Sequence, residues 1–581
     1  MSRMKSGFAM LLVAAIFAVV PQAHAAAVVK VMLSGSSALW QSAALAAYNN
    51  GSCVSGGTAP CFHYTSGSNF SLTDTRPTNK GGSAVSDPGG TWIVWDSAPN
   101  PNVWAYIKVD SVVGDRCYFA QPHCNVNVAS FPAPGNQITA KLWGDNSSDS
   151  TPPVSVQTLF TAGAKVNAAA SDIRPEDGMF AQCRANSALG GGPDGLAGLG
   201  YGVNASGVCP TFGADLAHLL GNPIKSGYPG SSSIANNVAF NISGTDPFTN
   251  QAIPSFQTVS VGGEPIIFIT NRQGALAGVS NASDSQLQAA FSGTTCTGNV
   301  FAGGTSGNID VYLREPTSGT MNTTEYTVFR YPDFSGKSQE TGVNAANPLA
   351  NAACGSGGAR FHSIGTGEEV KFVQNSNTNF GVDGIAYTFF SYGNVSAIAN
   401  NPNYGYLTLN GVDGIFHKYG SGIDPGQPAT PGVLPNASTL PGSCGNDFPC
   451  SEDKIWSGHL SYPNLRNGSY RAWTILRVVS NGAGLANIRL LVDAAEKYNA
   501  TSVPDFVPAV KVSGTPADPG LELLRSHYTR VGVAPKNIGS AGDKGGDVGG
   551  CILTSTGVVK TTDTTTKLAQ TFPGSSCVSV P

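Results

Sequence analysis

The sequence predicts an α/β protein, and three observations carry that prediction. Short apolar runs rich in β-branched residues alternate along the chain with segments of helical periodicity. Several of these runs end in Gly/Ser turns that open directly into a helix. A stretch of different composition, about 50–153, interrupts the early pattern and is β-rich. Continuous apolar runs suit strands whose two faces are both covered, the arrangement of sheets flanked by helices.

Val28–Leu33 is the first such run, broken by Ser34-Gly35-Ser36-Ser37 and followed by a helix over Ala38–Tyr48. In the 50–153 stretch, strands are expected at Thr91–Trp95, Trp104–Val109 and Arg116–Ala120, the last two joined by a turn at Gly114-Asp115. The aromatics Trp92, Trp95, Trp104, Tyr106 and Phe119 are expected to form a small core belonging to this insertion. Val154–Ala170 returns to helix and strand and ends at Ser171-Asp172. Pro265–Thr270 is a buried strand by its unbroken apolar run, Ser283–Phe291 a short helix with a Ser/Asp start and a Gly293 stop. Ile309–Leu313 and Gly384–Phe390 are further strands, Met321–Phe329 and Leu485–Tyr498 further helices. The tail from Gly532 is rich in Gly and Thr and gives little sign of regular structure.

Residues 1–25 have the order of an export leader: basic Arg3 and Lys5, an apolar run Phe8–Val20, then Ala23-His24-Ala25 as a small-x-small cleavage pattern. The run is short for a membrane span, and no later apolar stretch is long enough for one. Twelve cysteines without CxxC spacing, behind such a leader, read as disulfides. The close pairs Cys53/Cys61, Cys117/Cys124 and Cys444/Cys450 suggest local loop staples. The formal charge of −4, or −6 once Arg3 and Lys5 leave with the leader, argues against nucleic-acid binding. It leaves local anion binding open, because helix N-termini and single arginines act at contact distance.

Three loops share one property: each sets Ser/Thr hydroxyls and backbone N–H groups where a strand gives way to a helix or turn. They are Gly35–Leu39, Ala170–Asp172 and Arg314–Thr320. The first N–H groups of a helix lack internal partners, and the dipole adds positive potential there. Arg314 adds a planar fork suited to two oxygens of an oxyanion. Taken singly, each loop is an ordinary cap or turn. Their order along the chain is what carries the functional reading.

That order (strand–GSSAL–helix, AASD, PIIFIT, REPTSGT) resembles the phosphate-binding proteins of bacterial phosphate ABC transporters, PstS-like members of the type II periplasmic binding proteins. SDSQLQAAFSG (283–293), VDGIAYTFFSYGN (382–394), LNGVDGI (409–415) and LSYPNLRNGSYRAWTILR (460–477) are similar to further segments of that family. The resemblance implies an α/β, two-lobe fold with crossover strands plus a β-rich insertion. Lobe I would comprise 26–263 and the return from 391 to 581, with lobe II over 264–390. It implies ligand contacts from Ser37, Ala38 and Leu39, from Ser171 and Asp172, and from Arg314, Ser318, Gly319 and Thr320. Asp172 would accept the proton of hydrogen phosphate and repel sulfate, which has none to give. Ala38 and Pro316 depart from the family, which often has Thr and Asp there; Glu315 lies beside the second. The expected role is capture of phosphate or a similar oxyanion in the periplasm or outside the cell, without catalysis, cofactor or metal, and with an ABC permease as partner. Two other readings are an exported phosphohydrolase and an interaction protein that kept the fold. The first finds no HxH, HExxH or Gly-x-Ser-x-Gly elbow in the sequence.

Overall fold

The computed structural model describes residues 26–48, 57–76, 85–135, 147–173, 240–329, 352–390, 401–415 and 470–497 with short gaps, some isolated positions, and short strands at 506–507, 523–524, 551–554 and 557–560. The leader, the Cys444/Cys450 pair and most of 460–471 lie outside the described residues. The tail does contain a hairpin, Cys551–Thr554 against Gly557–Lys560.

Strand β1 (Val28–Gly35) leads through a 3-10 turn at Ser37–Leu39 into helix α1 (Trp40–Tyr48). The antiparallel pair β2 (Cys61–Asp74) and β3 (Val85–Asp96) continues into β4 (Asn102–Lys108), which pairs parallel with β1. The β-rich segment is therefore woven into the first lobe's own sheet. Helix α2 (Ser111–Phe119) follows, where a strand at Arg116–Ala120 had been expected. The sequence there offers an Asp110-Ser111 helix start, and Val112, Val113 and Cys117 at helical spacing fill the core beneath. Helix α3 (Val154–Ala162) and strand β5 (Ala168–Ser171) complete the outgoing path, with β5 parallel to β1.

Both faces of this sheet are buried. Val31 and Leu33 of β1, Trp92 and Val94 of β3, and Trp104 and Tyr106 of β4 pack on one side with α1. Met32, Ile93, Trp95, Val103 and Ala105 pack on the other with α2 and α3. The period-2 alternation thus places the insertion's aromatics in two layers of lobe I, not in a separate core as expected. The first lobe's sheet and α1 use them as filling, and Trp92 Nε1 donates to Trp40 O at 2.8 Å.

Strand β6 (Gln257–Asn271) changes sheets midway, which creates the second lobe. Its partners beyond Pro265 are the lobe II strands. That lobe holds helix α4 (Asp284–Phe291), β7 (Ile309–Arg314), α5 (Gly319–Thr324, continuing through Phe329), β8 (Ala359–Ser363), α6 (Gly365–Phe380), β9 (Asp383–Phe389) and β10 (Tyr404–Leu409). The order is β8-β7-β9-β6-β10, with β7 parallel to β8 and β9. A capping box between Ser283 and Gln286 starts α4, as its sequence predicts. The apolar core of this lobe centres on Ile267, Phe268, Ile269, Leu313, Met321 and Tyr387.

The return to the first sheet comes at β11 (Trp473–Ser480) and not from 391 as expected, because β10 pairs with β6 and fills the lobe II core; the described core then ends in α7 (Gly482–Lys497). β11 pairs with the Gln257–Pro265 half of β6 and with β5. The crossing point is tight: Phe390 N donates to Pro265 O and Ile266 N to Ala472 O, both at 2.7 Å. Two α/β lobes joined by crossover strands, with a β-rich insertion, are therefore the observed architecture. Disulfides Cys53–Cys61 and Cys117–Cys124 are the local staples expected, while Cys296–Cys354 ties residues 58 apart within lobe II.

Candidate anion-binding site

The three loops meet at Asp172, which is 4% exposed. From the first loop, Ser36 reaches it: the Ser36 hydroxyl donates to Asp172 Oδ1 and also accepts from Ala38 N at 3.1 Å. Gly35 makes this turn possible. Its φ is +133°, and a Cβ there would lie 2.0 Å from Ala170 O. From the third loop, Thr320 Oγ1 donates to Asp172 Oδ2 at 3.5 Å. Gly319 packs so closely that a Cβ would lie 2.6 Å from Asp172 Oδ2.

Helix α2 supplies a fourth side that the sequence reading missed. Asp172 N donates to Ser111 Oγ at 3.3 Å, at the first turn of α2. The neighbouring Asp110 accepts from Thr317 Oγ1 at 2.7 Å, and Val112 N donates to Thr317 O at 3.4 Å, so the lobes touch here. The backbone of Asp172 is fixed from β11, where Thr474 Oγ1 and Arg477 Nη1 both donate to its carbonyl, the latter at 3.2 Å. Arg477 is buried and was not singled out in the sequence either. Nothing local marks it, since it lies within a strand.

Arg314 is placed by β7 and is 3% exposed. Its Nε and Nη2 donate to the two oxygens of Glu315 at 3.0 and 2.7 Å, and Nη1 donates to Thr366 Oγ1 at 3.0 Å. The planar fork therefore grips its own neighbour, and Glu315 is the carboxylate that orients the guanidinium. Ser318 caps α5, accepting from Met321 N at 3.3 Å. Ser171 turns away: it donates to Asp115 Oδ2 at 3.0 Å. Ser37 is half-buried, while Ala38 and Leu39 contribute their side chains to the lobe I core.

Burial raises the Asp172 carboxyl above its ordinary range, against the opposing pull of Ser36, Arg314, Ser111 and Arg477. Burial and the adjacent Glu315 drive Asp110 well above that range. For Glu315, burial works upward but is outweighed by Arg314, which holds it well below. Glu369 is pushed up by burial, only partly offset by Arg314. Among the described residues, no group of three or more His, Cys, Asp or Glu is arranged to hold a metal ion. No helix among them is long and apolar enough to cross a membrane.

No protein-family model matches the chain, and no curated protein matches it. Several solved structures resemble it. An ABC-type phosphate transport receptor from Vibrio cholerae is 12% identical, with 44% of this chain and 75% of that one covered at a TM-score of 0.24. PstS from Borrelia burgdorferi is 14% identical, with 43% and 67% covered at 0.22. A phosphate-binding protein from Stenotrophomonas maltophilia is 12% identical, with 79% and 82% covered at 0.30.

Proposed function

We propose that this chain is an exported solute-binding protein that captures a tetrahedral oxyanion, phosphate above all, between its lobes and passes it to a membrane permease. The observation that carries the reading is the buried Asp172, met by Ser36 from lobe I and by Gly319 and Thr320 from lobe II. Ser36 and Thr320 hold the Asp172 carboxylate in place, the Ser318 hydroxyl keeps its proton for a ligand, and the N-terminus of α2 and the charges of Arg314 and Arg477 supply positive potential. Among the described residues the chain crosses between the lobes near Pro265 in β6 and near Ala472 ahead of β11, side by side, which suits closure by a hinge around the ligand. An ionised Asp172 carboxylate, which can only accept, takes the P–O–H hydrogen bond of hydrogen phosphate. Sulfate would set an unprotonated oxygen against it, at an electrostatic cost with no hydrogen bond in return.

The test is titration calorimetry of the mature protein with phosphate and with sulfate near neutral pH. Wild type should bind phosphate and hardly bind sulfate, and Asp172→Asn should raise sulfate affinity relative to phosphate. Equal binding of the two by wild type would remove Asp172 from its role, and binding of neither would overturn the reading.

A further inference from the structure

A second chemical constellation lies at the other end of α1. His63 of β2 stands between Ser147 and Asp149 of the loop before α3. Its Nδ1 lies 2.8 Å from Asp149 Oδ1 and its Nε2 lies 2.7 Å from Ser147 Oγ. The side chains of His63 and Asp149 are 2% and 1% exposed, whereas Ser147 is half-buried and Ser148 beside it is exposed. The second oxygen of Asp149 accepts from Thr65 N at 3.1 Å and from Thr65 Oγ1, so the carboxylate is held from two sides. An ionised carboxylate only accepts, which puts the imidazole proton on Nδ1 and leaves Nε2 to accept from the serine. The Tyr48 ring stands edge-on to the imidazole, centroids 4.7 Å apart, and its hydroxyl lies 3.3 Å from Ser147 Oγ.

We propose that Ser147, His63 and Asp149 form a nucleophilic triad that cleaves small carboxylic esters at the protein surface. The arrangement meets the geometric roles of such a site: nucleophile to base, base to orienting carboxylate, and a donor beside the nucleophile. Ser147 Oγ bonds to the ester carbonyl carbon while its proton passes to His63 Nε2. The carbonyl oxygen, as it gains charge, accepts from the Tyr48 hydroxyl. The C–O bond to the alcohol breaks and the alcohol leaves with the proton from His63. Water then attacks the acyl-serine with His63 again as base, releasing the acid and restoring Ser147. Tyr48 is the last residue of α1 and the Ser36 turn precedes its first, so the two sites are separated by the length of the helix, about 14 Å. This activity is independent of the oxyanion cleft.

The experiment treats the full mature protein with a fluorophosphonate probe and locates the adduct by peptide mass spectrometry, alongside turnover of p-nitrophenyl acetate. The expected result is an adduct on Ser147, absent in Ser147→Ala, with turnover lost and thermal melting and phosphate titration unchanged. Asp149→Asn, which keeps the side-chain volume, should slow turnover by roughly 100-fold or more by upsetting the imidazole tautomer. No adduct on Ser147 in folded wild-type protein, or turnover equal in wild type and Ser147→Ala, overturns the proposal. The unchanged phosphate titration keeps its failure distinct from failure of the cleft reading.

Discussion

Adding a single methyl group at Gly319 tests whether the two lobes must meet for the ligand to be held. Gly319 begins α5 in lobe II, and a Cβ on it would lie 2.4 Å from Ser111 Oγ, 2.6 Å from Asp172 Oδ2 and 2.7 Å from Asp172 Cβ. All three atoms belong to lobe I. Asp172 has no room to turn aside, because its Oδ1 is engaged by Ser36, its N by Ser111 and its carbonyl by Thr474 and Arg477. In Gly319→Ala the strain is relieved only by parting the lobes. Overpacking of this kind costs about 1–3 kcal/mol. Charged against closure, that weakens phosphate binding by roughly 5- to 150-fold, at 1.4 kcal/mol per decade. The open form should not suffer, since alanine is tolerated at the first position of a helix and its Cβ would meet lobe I alone. Calorimetry with phosphate reads the first effect, and a melt without ligand reads the second. Unchanged phosphate affinity in Gly319→Ala would refute closure at this contact, and a lower melting temperature without ligand would mean that the methyl group disturbs the lobe itself.

Two further outcomes follow from the same structure. The raised carboxyl of Asp110 contributes stability in full below its ordinary range, about pH 4, and loses it as pH rises through the folded-state value. Glu315, held low by Arg314, contributes in the opposite sense and loses its share only as pH falls below the ordinary range. Melting temperature should therefore decline as pH is raised. The decline should be shallower in Asp110→Asn, whose amide needs no titrating proton to sit beside Glu315; equal slopes would remove Asp110 from the effect. Buried Asp172 and Glu369 add to the slope in both proteins. Replacing Cys296 and Cys354 with Ser should destabilise lobe II by about 4 kcal/mol, against about 2.5 kcal/mol for losing the Cys117–Cys124 staple, because the chain-entropy term grows with loop length. Urea unfolding of the two double variants compares them directly, and equal losses would contradict the ranking.

What the sequence determined by itself was whatever is encoded over a few neighbouring residues. The unbroken run Pro265–Thr270 marked a strand buried on both faces, and the Ser283 cap marked the start of α4. The three loops were legible for the same reason: glycine, hydroxyl residues and an apolar run follow one another locally. Arg116–Ala120 was misjudged because its apolar residues suit a strand as well as a helix, and only packing against β1 and β5 decided between them. Tertiary structure alone decided which side chains meet. Whether Ser36 or Ser37 faces Asp172 depends on the +133° φ at Gly35 and on its contact with Ala170, 135 positions away. That Glu315 grips Arg314, that Ser111 joins the site from α2, and that His63 finds Ser147 and Asp149 across more than 80 residues are likewise matters of register. Hydrogen bonding is directional and short in range, so the groups that meet are set by how distant strands pair. No local pattern in the chain carries that information.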